Sequence, residues 1–442
     1  MADDSFDRPG RAVPSGRFAR LGAFGRLAGG VAGGMVAEGT RRIAAGERPR
    51  LNDLLLTPGN VGRLADQLAH LRGAAMKLGQ MISMDAGDLL PPELADIMAR
   101  LRDKASPMPP AQLQKVLAAQ WGAAWRTRFA RFEASPIAAA SIGQVHRATT
   151  HDGRVLAIKV QYPGVAASID ADIDNVATLL RVSGLLPAGL DIAPLLAEAK
   201  RQLAEEADYV REGAQLSRFG ALLAGDPRFV VPALDAAFTT PQVLAMDFVP
   251  GVAIETLTDA PQDVRDTVAA TLIELVLREL FAFGLMQTDP NFGNYRWQPE
   301  TRRIVLLDFG AARTVSPATA AAYRLLLTAA LSGERDRVSA AAVEAGLLAP
   351  AALDRHRASI DRMIDVVLRE MNRPGPFDFG DRSFVGPLRD EGMAMAADRA
   401  TWHLPPADML FAQRKISGTA LLAARLKARV NVRTMLVERL GA

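Results

Sequence analysis

The chain has no cysteine. That excludes disulfides and thiolate metal sites, and it is compatible with a reducing compartment. It also lacks any apolar run of the ~18–20 residues that span a bilayer. The longest candidate, Leu27 to Ala37, is too short and is interrupted by glycine. A secretory leader is not expected, because Asp3 and Asp4 open the chain and glycine breaks the apolar part. Charge of one sign is missing too. Lys and Arg number 52 against 49 Asp and Glu, a formal net charge of +3. The balance is too mild to imply nucleic acid; an anionic lipid surface or a nucleotide suits it equally.

The length, 442 residues, exceeds one average domain. A catalytic unit of roughly 300 residues plus an extension is the simplest division. Residues 1–50 form a basic, glycine-rich lead-in, with Gly25, Gly29 and Gly33 four apart. Residues 51–125 read as a helical extension. Leu64, Leu68, Leu71, Ala75, Leu78 and Ile82 mark one apolar stripe, and Lys77 and Gln80 lie on neighbouring faces with Gly79 between them. Spacing alone makes Lys77 an ordinary solvated lysine. Residues 126–250 and 251–442 read as two further parts, with a natural hinge at Pro250-Gly251.

Chemistry concentrates in Gln287-Thr288-Asp289-Pro290-Asn291-Phe292-Gly293-Asn294 and in Leu306-Leu307-Asp308-Phe309-Gly310. The Asp-x-x-x-x-Asn spacing followed by Asp-Phe-Gly is that of protein-kinase phosphoryl transfer. One carboxylate, Asp289, sits where an attacking oxygen would be. An amide oxygen, Asn294, and a second carboxylate, Asp308, suit Mg²⁺, which prefers hard oxygens and shares them with nucleotide phosphates. Upstream, the strand Val155-Leu156-Ala157-Ile158-Lys159-Val160 supplies the lysine that such a site needs. Before it, Ala138, Ala139, Ala140 and Ser141 stand where a kinase carries a glycine-rich loop. Alanine narrows φ/ψ space and adds a methyl where backbone would approach phosphate, so the loop is expected to be stiffer. The backbone of Asp247 to Val249 is expected to meet adenine.

A kinase-type lysine requires a helical glutamate. The stretch Asp191 to Phe219 reads as one long charged helix containing Glu205, Glu206, Asp208 and Glu212. On a continuous helix Glu206 and Asp208 lie about 200° apart, so both cannot face Lys159. Two departures from protein kinases stand out. Gln287 and Thr288 occupy the positions of His-Arg before the catalytic Asp, and no Ala-Pro-Glu follows the short stretch after Gly310.

Taken together, Lys77-Leu78-Gly79-Gln80, the alanine-rich stretch, Lys159, Glu206-Ala207-Asp208-Tyr209 and Gln287-Thr288-Asp289-Pro290 resemble the UbiB/ADCK family of atypical kinases, over about residues 55–435. The resemblance implies an α+β, bilobal, protein-kinase-like fold with an N-terminal helical extension over the active site and a largely helical C-lobe. It implies that Lys77 and Gln80 act with Glu206 and Asp208. It further implies ATP and Mg²⁺ as cofactors, ATPase or phosphotransferase activity, and a part in ubiquinone biosynthesis beside its proteins. The expected partners are an anionic membrane surface or a quinone intermediate, and no nucleic acid. Without a C-terminal span, the expected location is cytoplasmic and peripheral to the inner membrane. On this reading Lys159 holds the α/β-phosphates with Glu212 as its helical partner, Asp289 is base or water-positioner, and Asn294 and Asp308 bind Mg²⁺. A competing reading keeps the same site in a nucleotide-gated, chaperone-like module for quinone intermediates.

Overall fold

The computed structural model describes residues 108–140, 142–182, 193–396, 398 and 406–441. Lys77, Gln80, Ser141 and nearly all of the expected helical extension lie outside these residues.

In chain order, α1 (Pro110–Trp121) precedes β1 (Phe129–Phe132), β2 (Ala138–Ala140), β3 (Gly143–Thr150) and β4 (Val155–Gln161). Helices α2 (Val165–Val182), α3 (Ala193–Glu206) and α4 (Tyr209–Leu223) follow, then β5 (Phe229–Val230), β6 (Val243–Asp247) and β7 (Val252–Ala253). Next come α5 (Gln262–Arg278), a π-helical turn (Glu279–Phe283), β8 (Leu285–Gln287), β9 (Tyr295–Gln298), β10 (Arg303–Leu306) and β11 (Ala312–Thr314). The remainder is α6 (Pro317–Ser332), α7 (Arg335–Glu344), α8 (Pro350–Met371), β12 (Phe377–Asp378), α9 (Val385–Ala396), α10 (Ala407–Arg425), β13 (Arg429–Val430) and α11 (Val432–Leu440). The chain forms two compact units. One runs to Arg218 and includes Pro232–Phe248; the other comprises Phe219–Val231 and everything from Val249.

The first unit is built on an antiparallel sheet ordered β1-β3-β4-β6, with β2 beside β1 on the same edge of β3. The β3–β4 turn depends on Gly153, whose φ of +86° is open to glycine and costly for residues with a Cβ. Helix α1 begins with proline, whose fixed φ suits a first turn. It buries Leu113, Val116 and Leu117, one helical stripe, against Leu156, Ile158 and Val160 of β4 and the rings of Trp125, Phe129 and Phe238. Strand β4 is therefore buried along almost its whole length, from Leu156 to Gln161.

The single charged helix expected over Asp191–Phe219 is in fact two. α3 ends at Glu206 and α4 starts at Tyr209. Asp208 causes the break, because its Oδ1 accepts the N–H of Arg211 at 2.9 Å and caps the new helix. Gln161 covers the other side of the gap, its Nε2 donating to the Ala207 carbonyl at 2.6 Å. The angular separation of Glu206 from Asp208, which assumed one helix, does not apply.

The second unit joins a small sheet, β5-β10-β9-β7, to a helical body. Phe219–Val231 belongs to it because β5 pairs in parallel with β10. Val276 and Leu280, Met286, Tyr323, and Met409 and Ala412 form one core, and the Tyr323 hydroxyl donates to the Met409 carbonyl at 3.0 Å. Helix α6 follows Gly310 closely, with only residues 311–316 between. Among the described residues, no helix is long and apolar enough to cross a membrane.

Candidate active site

In the first unit Lys159 is not a solvent-facing strand-end lysine. It is 7% exposed and its Nζ donates to both Glu212 carboxylate oxygens, at 2.8 and 3.0 Å. Glu212 is 1% exposed. A buried ammonium needs such a partner, since unpaired it would carry its full desolvation cost. The break at Asp208 makes the pairing possible by starting a new helix whose first turn contains Glu212. Tyr209, fully buried, lies below the lysine with its ring centroid 5.1 Å from Nζ. Gly143 faces this same tyrosine. A Cβ there would fall 2.3 Å from the Val160 carbonyl oxygen and 3.0 Å from the Tyr209 hydroxyl. Strand and helix thus approach more closely than a side chain would permit.

Ala138, Ala139 and Ala140 were expected in a loop. They form strand β2, in register with Val145, Gln144 and Gly143 of β3. The sheet ladder fixes their backbone where a glycine loop would move freely. Asp247 ends β6, half-buried. Its N–H is committed to the Ala233 carbonyl and that of Phe248 to the Val155 carbonyl, both at 2.9 Å. Glu206 is 8% exposed at the last position of α3, whereas Asp208 is exposed and holds the Arg211 amide. The two acids of this motif therefore sit in different surroundings.

In the second unit two strand pairings bring the separated motifs together. Gln287 of β8 is opposite Ala312 of β11, and Tyr295 of β9 is opposite Leu306 of β10. The loop carrying Asp289 and Asn294 and the turn carrying Asp308 are each bracketed by the same two pairings. Further bonds tie them. Leu307 N–H donates to the Asn294 carbonyl at 3.0 Å, and Thr288 Oγ1 donates to the Ala311 carbonyl at 2.8 Å. Asn294 Nδ2 donates to the Asp289 carbonyl at 3.0 Å. This commits the amide nitrogen and leaves Oδ1 as the acceptor. Asp308 Oδ1 accepts the Gly310 N–H at 3.0 Å. Asp289, Asn294 and Asp308 are all half-buried. The Asp308 carboxylate and the Asn294 amide oxygen are hard donors that fit Mg²⁺ shared with nucleotide phosphates. Among the described residues, no cluster of three or more His, Cys, Asp or Glu could hold a metal independently.

The sequence reading missed the polar floor of this loop. Glu279 and Lys415 are buried to 0% and 1% exposure. Burial pushes the Glu279 carboxyl up, with Lys415 and the Gln287 N–H working against it. Burial opposes the Lys415 charge, but Glu279 and Tyr295 outweigh it and hold its pKa up. Burial likewise raises the Tyr295 phenol. A signal existed: Phe411, Lys415, Thr419 and Leu422 follow one helical stripe of α10, so the lysine falls on the apolar face.

A family profile described as "ABC1 atypical kinase-like domain" matches residues 100–342. The mitochondrial atypical kinase COQ8 of Saccharomyces cerevisiae is 36% identical over 430 residues, covering 96% of this chain and 85% of the relative. The mitochondrial atypical kinase COQ8B of Rattus norvegicus is 37% identical over 432 residues, covering 96% and 80%. Among solved structures, a complex of Rv3197 with erythromycin from Mycobacterium tuberculosis superposes with a TM-score of 0.60 at 27% identity, covering 85% of this chain and 94% of the other.

Proposed function

From a chain that belongs to the ABC1 atypical kinase-like family and is COQ8-like along nearly its whole length, we propose a MgATP-dependent ATPase or phosphotransferase that supports coenzyme Q biosynthesis. It acts on or with a lipid or small molecule rather than a protein. The observation that carries this reading is the double bracketing of Asp289, Asn294 and Asp308 by the β8–β11 and β9–β10 pairings. In phosphoryl transfer the protein contributes mainly position and charge. Asp308 and the Asn294 Oδ1 would hold Mg²⁺, which neutralises charge on the transferring phosphoryl group. Asp289 would orient an attacking hydroxyl or water and accept its proton. Lys159, fixed by Glu212, would bind the α/β-phosphates. The rigid alanine strand would present backbone to them, and Asp247, its N–H already committed, would meet adenine through its carbonyl, beside Val249. Glu206 and Asp208 would act with Lys77 and Gln80.

A small or lipid acceptor is favoured by the short segment, residues 311–316, between Gly310 and α6, which offers no cradle for an extended peptide. The relatives' names place them in mitochondria; for this chain we propose a peripheral position at an anionic membrane.

A second reading, a nucleotide-gated binding module, draws support from an apolar pocket in the second unit. It has a volume of about 280 Å³ and is lined by Val276, Leu280, Phe377, Phe379, Ile416 and Leu436, among others. Most of its lining is apolar, as in small-molecule sites. The two readings separate on the fate of label from γ-labelled ATP supplied with anionic liposomes and phenolic quinone precursors. Labelled organic product supports phosphotransfer. Labelled free phosphate alone excludes phosphotransfer and supports hydrolysis, as in the gated module. No label released in either form overturns both.

A further inference from the structure

Lys415 lies 128 positions beyond Gln287 in the sequence, yet the two share one buried site. Its Nζ donates to Gln287 Oε1 at 3.2 Å and to the Tyr295 hydroxyl at 2.9 Å, and lies 3.5 Å from Glu279 Oε2. An ammonium has three N–H donors, and here three acceptors surround it. Their places in the chain matter more than their number. Gln287 precedes Thr288 and Asp289, and Tyr295 directly follows Asn294. Lys415 therefore grips the catalytic loop at both ends, immediately outside the residues that do chemistry. Glu279 adds a third hold, its Oε1 accepting the Gln287 N–H at 3.2 Å. It comes from the π-helical turn at the end of α5, a local widening of the kind often found at functional sites.

We infer that Lys415 is a positioning residue: from α10 it sets the separation of the two ends of the Thr288–Asn294 loop, and so the placement of Asp289 and Asn294 for phosphoryl transfer. This rests on the reading of those residues as the phosphoryl-transfer machinery. The physical case has two parts. A buried ion pair is weak evidence for stability: apolar side chains in place of both Lys415 and Glu279 would hold α10 against α5 equally well or better. A purely structural account gives no reason for the pair. In contrast, a loop fixed at both ends by charge-assisted hydrogen bonds holds its reacting groups within the fraction of an ångström that catalysis demands. Kinases have a His-Arg pair before the catalytic Asp. This chain has Gln287 and Thr288 instead, and Lys415 supplies from a distant helix a cation that the loop itself lacks.

The test uses the full chain with Lys415→Met, which keeps the stem and removes the charge, and Tyr295→Phe, which removes one acceptor and leaves the lysine two. ATP turnover is measured at a temperature where each variant is fully folded, with KM for ATP, the Mg²⁺ concentration at half-maximal rate, and hydrogen exchange of the Thr288–Asn294 amides. Asp308→Asn is the control. The expected result for Lys415→Met is a fall in kcat of about ten-fold or more with KM changed less than three-fold. The half-maximal Mg²⁺ concentration rises, and exchange quickens in the loop while β3 and β4 are unaffected. Tyr295→Phe shifts the same quantities in the same direction by a smaller factor. A lower melting temperature with unchanged kcat, Mg²⁺ dependence and loop exchange would overturn the inference. Should Lys415→Met fail to fold, Tyr295→Phe decides alone: wild-type loop exchange and wild-type Mg²⁺ dependence overturn it. Asp308→Asn tells the two failures apart. If that control keeps Mg²⁺-dependent turnover, the phosphoryl-transfer reading fails and the inference falls with it. If it is inactive while both positioning variants match wild type, only the inference fails.

Discussion

Lys159 and Glu212 meet as a two-pronged buried ion pair, Nζ lying 2.8 Å from one carboxylate oxygen and 3.0 Å from the other. Both side chains are almost fully covered, so neither charge has water to fall back on. Glu212→Ala removes the carboxylate that both prongs engage, and removing one partner of a buried pair costs about 3–5 kcal/mol. The double variant Lys159→Met, Glu212→Leu removes both charges and is expected to recover most of that loss. Urea unfolding of the single and double variants measures it. Equal instability in Glu212→Ala and the double variant would mean that the pair's charge is not what matters there.

The approach of β3 to its neighbours sets a second expectation. Gly143→Ala forces a methyl to within 2.3 Å of the Val160 carbonyl oxygen, an atom of the sheet backbone that cannot swing away. Overpacking of this kind costs about 1–3 kcal/mol, and a Tyr209→Phe change on the same background should relieve little of it, since the backbone clash is the tighter one. Thermal unfolding of both variants is the check. An alanine variant as stable as wild type contradicts the close approach.

His146 gives a pH dependence. Burial disfavours its imidazolium and the Glu133 carbonyl only partly offsets this, so its pKa is lowered to about 4 from 6.5. The ring Nδ1 contacts the Glu133 carbonyl at 2.9 Å, and Nε2 lies 2.8 Å from Gln144 Nε2, an arrangement that suits a neutral ring donating through Nδ1. As pH falls from 6.5 towards 4, the unfolded chain takes up a proton that the folded one refuses. The stabilisation is whole above pH 6.5 and is lost through that window, to the extent of about 3 kcal/mol. Stability–pH curves of wild type and His146→Gln should converge by about this amount between pH 7 and pH 4. An imidazole NMR titration centred near 6.5 would contradict the expectation.

Much of this was legible in the sequence. The strand from Val155 to Val160 was read directly, and the Asp-x-x-x-x-Asn and Asp-Phe-Gly spacings picked out the residues that the strand pairings bring together. Lys159 was found from its strand, and Glu212 emerged from four acids on one stretch. What stayed hidden depends on contacts distant in sequence or on competition at a helix end. Asp208 looks like one more helical acid until its side chain captures an amide and splits the helix. Ala138 to Ala140 look like a loop until β3 offers them a ladder. Lys415 is an ordinary basic residue until α10 carries it beneath a loop 120 and more positions away.

Asp308 and Asn294 are proposed to complete a Mg²⁺–nucleotide site. Its most direct measurement is the melting temperature with and without ATP, in Mg²⁺ and in EDTA, for wild type and Asp308→Asn. A ligand that binds only the folded state stabilises it by RT ln(1 + [L]/Kd), or about 2.7 kcal/mol at a hundred-fold excess over Kd. Wild type should show a clear upward shift with MgATP that EDTA abolishes, and Asp308→Asn should show neither. An unchanged, Mg²⁺-dependent shift in Asp308→Asn would contradict the account.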